Sequence, residues 1–237
     1  MKLKKQLIDW ADRFEVPGFI DTDPIQFPHR FDRKQDIEIS AFLTAYLAFG
    51  KRSVIINKVN ELHDVMGRSP YSYVMGGDFG DFPSGNKKFY RFISYPDMNG
   101  LLTALRSYYV KYDDLETAVN AESPGEPMEA IRRMFGHIHH IPDADSKSAC
   151  KRIAMLLRWL CRRNSCVDLG IWRTIDPACL LIPLDTHVHR MSLELGITNR
   201  RIADMRTARE INAFFEKVFP GDPCRGDYSL FGYAVNG

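Results

Sequence analysis

The sequence lacks most of the features that would declare its class at once. No apolar run reaches the roughly 18–20 residues that a membrane-spanning helix needs. The start, MKLKKQLIDWADRFEV, is basic but has no uninterrupted apolar stretch behind it, so no secretory signal is expected. Internal repeats and low-complexity tracts are absent, which excludes repeat arrays and compositionally biased segments. The five cysteines (Cys150, Cys161, Cys166, Cys179 and Cys224) are odd in number and show no C-x-x-C spacing. That argues against a disulfide framework and against a paired-cysteine zinc site. A surplus of one charge is missing too: 32 Lys and Arg face 30 Asp and Glu, for a net charge of +2. A polybasic tail and a strongly acidic chain are thereby excluded. What is present is 237 residues, 45% of them hydrophobic, enough for the core of one large domain or two small ones. A reduced, cytoplasmic, globular protein is expected.

The dominant period is helical. Residues 36–49 carry Ile37, Ala41, Thr44, Ala45 and Ala48 on one stripe, and Gly50 follows as a stop. Residues 51–66 repeat the pattern with Ile55, Val59, Leu62 and Met66. Helices are also predicted over 98–112, 126–140, 147–163, 186–195, 204–218 and 223–235. The stretch 147–163 shows a wide apolar face of Ile153, Leu156, Leu157, Leu160 and Cys161. Asp222-Pro223 reads as an N-cap followed by a first-turn proline. Residues 179–185 are apolar enough for a short strand, but Pro183 interrupts them. Segments 76–86 and 121–127 read as loops. The expected fold class is all-α.

Charge is unevenly spread. Residues 147–217 hold 13 Lys or Arg against 7 acids, so this block carries +6 and the remainder of the chain −4. A basic block can touch phosphates even in a nearly neutral chain, although arginines on solvated helix faces give the same count.

Two residues in that block suggest chemistry. Lys151 falls in the first turn or two of the 147–163 helix. Unpaired N–H groups there create a positive potential, and Arg152 adds to it, so a protonated amine is disfavoured. A neutral lysine amine can attack an electrophilic carbon. Asp185 ends an apolar run and precedes T-H-V-H-R, which reads as the N-cap of the next helix. From there a carboxylate can face a developing positive charge or steer an amine. The run His137, His139, His140 is expected at a helix end, where residues i and i+2 point about 200° apart. Those histidines are therefore not expected to share a metal, and no metal site is assigned.

The stretch PLDTHVHRMSLELGI at 183–197 resembles the signature that follows the catalytic helix in the helix-hairpin-helix DNA glycosylase superfamily. There an aspartate caps a helix reading roughly D-T-H-x-x-R, and in lyase-type members a lysine lies upstream. The spacing from Lys151 to Asp185 is similar to that of archaeal-type 8-oxoguanine glycosylases, and the string K-x-x-x-x-L-L-R is similar to that of compact 8-oxoguanine glycosylases. Over most of its length the chain also resembles an uncharacterised bacterial family. The shared pattern is CKR-x-x-M-x-LRW (150–159), VD-x-G-x-W (167–172), IPLDTH-x-x-R (182–190) and DP-x-x-x-DY-x-LFG (222–232). One departure is plain: the glycosylase hairpin contains glycines, and the corresponding PDADSKSACK has none. The four-cysteine iron–sulfur loop of some relatives is absent as well, so no cofactor is expected.

The resemblance implies two helical subdomains with a cleft between them. In that arrangement residues 1–35 and 204–237 pack together and 36–203 form the rest. It implies a monomer acting on double-stranded DNA that carries a damaged base such as 8-oxoguanine, with no membrane partner. Lys151 would attack the sugar C1′ and Asp185 would stabilise the charge that develops. Ser146, Lys147, Ser148, Arg152, His187 and Arg190 would contact phosphates. Trp159, Trp172 and Phe231 are candidates for the base pocket, with a core position the favoured reading for Trp159. The alternatives are a non-catalytic nucleic-acid-binding protein on a glycosylase fold, and a helical protein-interaction domain.

Overall fold

The structure is a computed structural model and describes residues 2–236. It is mostly helical, as expected. In chain order, α1 (Lys2–Phe14), α2 (Lys34–Leu47), α3 (Arg52–Met66) and α4 (Pro70–Gly76) precede a short antiparallel hairpin of β1 (Lys88–Tyr90) and β2 (Ile93–Ser94). Then come α5 (Tyr95–Lys111), α6 (Leu115–Glu122), α7 (Pro127–Phe135), α8 (Lys151–Cys161), α9 (Thr186–Glu194), α10 (Met205–Val218) and α11 (Tyr233–Asn236). Among the described residues no helix is long and apolar enough to cross a membrane. The chain divides into two compact units. One runs from Asp23 to Asp145; the other joins the residues up to Thr22 with those from Ser146 onward.

The unit of residues 23–145 is organised by α2. A single apolar stripe is predicted for this helix, yet it is buried from Asp36 to Leu47 without a break. Its acids are tolerated because each accepts hydrogen bonds from a neighbouring helix start. Asp36 Oδ1 accepts from Ser69 Oγ at 2.8 Å and from Tyr71 N at 2.7 Å, at the start of α4. Glu38, fully buried, accepts from Tyr109 Oη at 2.9 Å and from Leu115 N at 3.1 Å, the first residue of α6. Ser40 Oγ lies 2.7 Å from His63 Nε2, and His63 Nδ1 lies 2.8 Å from the Val59 carbonyl. The Ser94–Asp97 capping box starts α5 at Tyr95, three residues ahead of the predicted start. Helix α7 stops at Phe135, well short of the predicted 140. A Cβ on Gly136 would stand 2.7 Å from Asp143 Cα, because the chain folds back there. The Arg132 guanidinium holds that return by donating to the carbonyls of Asp143 and Ala144, at 2.8 and 2.7 Å.

The discontinuous unit is built around α8. Every residue from Ile153 to Cys161 is buried, so this helix is enclosed on all faces rather than amphipathic. Arg158 and Arg162, which a pattern reading would put in solvent, are 4% and 1% exposed. Arg158 Nε donates to Asp168 at 3.2 Å, and its Nη1 pairs with Asp227. Arg162 Nη1 donates to Asp168 at 2.8 Å and to Glu15 at 2.5 Å, while its Nε donates to Asp222 at 2.8 Å. The Tyr228 ring lies under both guanidiniums, 4.6 Å from Arg158 and 5.3 Å from Arg162.

Asp222 is an N-cap residue with Pro223 after it, as expected, but of a 3-10 turn, and its side chain makes no capping bond: the carboxylate is held by Arg162. The predicted single helix over 223–235 is also broken up. It consists of a 3-10 turn (Pro223–Arg225), a π-helical turn (Tyr228–Gly232) and α11. Ser229 Oγ donates to the Leu7 carbonyl at 2.7 Å, tying the π turn to α1. The glycines of this segment are set by close approach: a Cβ on Gly226 would lie 2.3 Å from Phe215 Cδ1, and one on Gly232 would lie 2.5 Å from Phe14 Cβ. Residues 179–185 form no strand; a 3-10 turn (Pro177–Cys179) leads into irregular chain.

Two outcomes follow for stability. Replacing Asp168 by Asn leaves two buried guanidiniums short of a charge partner. The expected loss is about 3–5 kcal/mol, read by urea unfolding; a loss below about 1 kcal/mol would contradict a buried network. The second concerns pH. Burial holds His63 neutral, with its pKa lowered from 6.5 to about 4. As pH falls, the unfolded chain takes up this proton before the folded one does. Stability should therefore drop between about pH 6.5 and 4, and His63→Gln should flatten that part of the profile of urea midpoint against pH.

Candidate functional site

Lys151 is the first residue of α8 and is half-buried. Cys150 before it caps the helix in a left-handed backbone, φ 50°, and is itself buried. A non-glycine residue held this way costs about 1–2 kcal/mol, and such strain persists where the surrounding contacts over-determine it. Lys151 Nζ lies 3.6 Å from Met155 Sδ, one turn on. The spacing puts Lys151, Met155, Arg158 and Arg162 on one stripe of α8. Lys151 is thus the more exposed end of a stripe whose inner members form the buried ion-pair network.

Asp185 is the N-cap of α9, as the sequence predicts. Its Oδ1 accepts from His187 N and from Val188 N, both at 2.9 Å. Both bonds fall on one oxygen, so Oδ2 is not used by the cap.

Asp227 pairs with the Arg158 guanidinium in the buried network. Its carboxyl is 5% exposed, and burial pushes its pKa up to about 7. The Arg158 guanidinium pulls it down, Asp185 pushes it up, and Lys151 pulls it down. Lys151 and Asp185 thus bear on the same buried carboxyl in opposite senses. Asp222 is likewise raised by burial, against the pull of Arg162. Among the described residues Glu15, Asp168, Asp222 and Asp227 face the guanidiniums of Arg158 and Arg162, and Arg225 also pairs with Glu15. Chemically, this unit holds an amine at the start of α8, a capping carboxylate at the start of α9 and a buried carboxyl whose pKa is raised towards neutrality. That set can support nucleophilic attack with proton transfer.

The other predicted residues are distributed as follows. His187 and Arg190 are exposed on α9; the His187 ring stands edge-on to Phe231, with centroids 6.1 Å apart, and Arg190 pairs with Glu194 at 3.5 Å. Phe231 is half-buried in the π turn, against which α9 packs. Arg152 is half-buried at the start of α8. Lys147 and Ser148 are exposed and Ser146 is half-buried. Ser146 Oγ accepts from Ser148 N, and Ser148 Oγ from Cys150 N, both at 3.2 Å. These serine hydroxyls thus hold the backbone amides of the glycine-free segment before Lys151. Trp159 and Trp172 are 0% and 1% exposed and belong to the core.

Sequence reasoning missed Asp227, although it stands in the quoted DY-x-LFG pattern. An acid followed by the Tyr-Ser-Leu-Phe-Gly run was the available signal. The +6 block also counted Arg158 and Arg162, whose charges are answered internally.

No curated protein and no solved structure matches the chain. One family's sequence profile covers residues 23–236, leaving α1 and Glu15 outside the match. This meets the expectation of an uncharacterised family: the chain belongs to the family described as protein of unknown function DUF2400.

Proposed function

We propose that this protein is a DNA base-excision enzyme of the helix-hairpin-helix glycosylase type, with Lys151 as nucleophile and Asp185 as the carboxylate that serves it. The observation that carries this reading is the shared electrostatic neighbourhood of Lys151, Asp185 and Asp227 within one unit. It is supported by the cap geometry of Asp185, which leaves one oxygen outside the helix start.

The substrate is double-stranded DNA containing an oxidised purine such as 8-oxoguanine, and the protein works as a cytoplasmic monomer. The damaged nucleotide is turned out of the stack. Lys151, as the free amine, attacks C1′; the bond to the base breaks, and the base leaves with the bonding electrons and takes up a proton. Asp185 faces the positive charge that develops on the sugar and accepts the proton that Lys151 releases. Opening of the sugar ring gives a Schiff base, and loss of a C2′ proton then breaks the C3′–O bond. Asp227 acts as a positioning residue from the buried side. Phe231, beside His187, offers a half-exposed ring for stacking, whereas Trp159 and Trp172 support it only as core. Lys147, Arg152 and Arg190, with Ser146, Ser148 and His187, supply phosphate contacts.

One observation favours the second reading, a nucleic-acid-binding protein without catalysis. The segment before Lys151 has no glycine, and its amides at Ser148 and Cys150 are already engaged by serine hydroxyls. Borohydride trapping separates the two. The wild-type chain should form a covalent adduct with DNA carrying 8-oxoguanine or an abasic site, and Lys151→Ala should form none. Asp185→Asn keeps a capping side chain and should slow trapping by about 10²–10⁴-fold. Absence of an adduct, or equal trapping by Lys151→Ala, overturns the catalytic reading. Salt-dependent DNA binding without product would then establish the second.

A further inference from the structure

The run His137–His140 does not lie on a helix. Because α7 ends at Phe135, these residues occupy turns, and the angular argument against a shared metal does not apply to them. His140 has a left-handed backbone, φ 66°, rare for a residue with a side chain. Its effect is to bring two adjacent imidazoles to the same side: the His139 and His140 rings stack with centroids 3.6 Å apart and planes inclined by 30°. Asp97, from the first turn of α5, completes the group. Its Oδ1 lies 3.2 Å from His139 Nδ1. One candidate ligand atom from each of Asp97, His139 and His140 falls within 4.8 Å of the others.

We infer that Asp97, His139 and His140 form a binding site for a divalent transition-metal ion of the zinc class. Two imidazoles and a carboxylate are the donor set such ions prefer, and three protein ligands leave a position open to water or substrate. Metal–ligand bonds of about 2.0–2.1 Å set tetrahedral ligand atoms about 3.3 Å apart. The Asp97–His139 pair is already at that spacing, and the His140 ligand atom lies within 4.8 Å of both.

The supporting shell is built as well. Asp97 Oδ2 accepts from Ser94 N at 2.7 Å and from Ser94 Oγ at 2.6 Å, which fixes the direction of Oδ1. Tyr46 Oη donates to the His139 carbonyl at 2.9 Å, holding the turn. The Phe92 ring packs against His140, with centroids 4.4 Å apart. The N-terminus of α5 opposes a cation through its dipole, and the Asp97 carboxylate is the charge that offsets it. All these residues belong to the unit of residues 23–145 and to no part of the reading based on Lys151.

The test is titration of the chelator-stripped full-length protein with Zn²⁺, followed by calorimetry, with Co²⁺ absorption as a spectroscopic readout. One ion per chain should bind. His139→Gln and His140→Asn, the latter chosen because Asn tolerates the left-handed backbone, should each weaken binding by about tenfold or more. The double variant should lose both the binding heat and the Co²⁺ d–d bands, with an unchanged circular dichroism spectrum. His137→Gln should bind as wild type does. The inference is overturned by an absence of saturable binding, by a double variant that binds like wild type, or by an equal loss in His137→Gln.

Discussion

Arg158 and Arg162 lie inside the protein, and a guanidinium does not surrender its charge on burial. The interior of the discontinuous unit must therefore supply carboxylates, and it draws them from separate stretches of chain. Asp168 comes from the loop after α8, Asp222 and Asp227 from the chain end, and Glu15 from the residue that follows α1. Arg225 extends the set by pairing with both Glu15 and Asp12. An ion-pair cluster of this kind constrains geometry more than it adds net stability, because desolvating its members is costly. What it does here is fix α1, α8 and the Tyr228–Gly232 turn to one another. Lys151 begins α8, and α9, which Asp185 caps, packs against the Tyr228–Gly232 turn.

The other unit handles buried acids differently. Asp36 and Glu38 sit on the enclosed helix α2 and accept hydrogen bonds at the starts of α4 and α6. They do across space what an N-cap does within a chain, taking up amides that the first turn leaves over. Lys34 adds a charge to the α6 start by pairing with Asp114 and Glu116. In one unit buried acids neutralise buried bases; in the other they terminate helices.

This difference explains what could be read in advance. Helices with a solvent face, such as α3 and α10, follow from period alone, and the Asp185 cap follows from its place between an apolar run and a polar helix start. The enclosed helices α2 and α8 were legible as helices but not as enclosed, since polar letters such as Glu38, Arg158 and Arg162 look solvated until their partners are known. Those partners lie far off in sequence: Glu15 is 147 residues from Arg162, and Glu38 is 71 from Tyr109. Asp222 stands at the cap position its context predicts, but a distant arginine takes its carboxylate. The histidine turn was illegible for another reason. Its geometry depends on the left-handed backbone at His140, a residue type that seldom signals one.

The discontinuous unit also imposes an order on synthesis. Residues 23–145 form their unit from one continuous stretch, whereas Leu7 waits for Ser229, 222 residues later. At about 5–20 residues per second that delay is on the order of 10–45 s. Throughout it, the apolar side of α1 (Leu7, Ala11 and Phe14) has none of its final neighbours from the Tyr228–Gly232 turn.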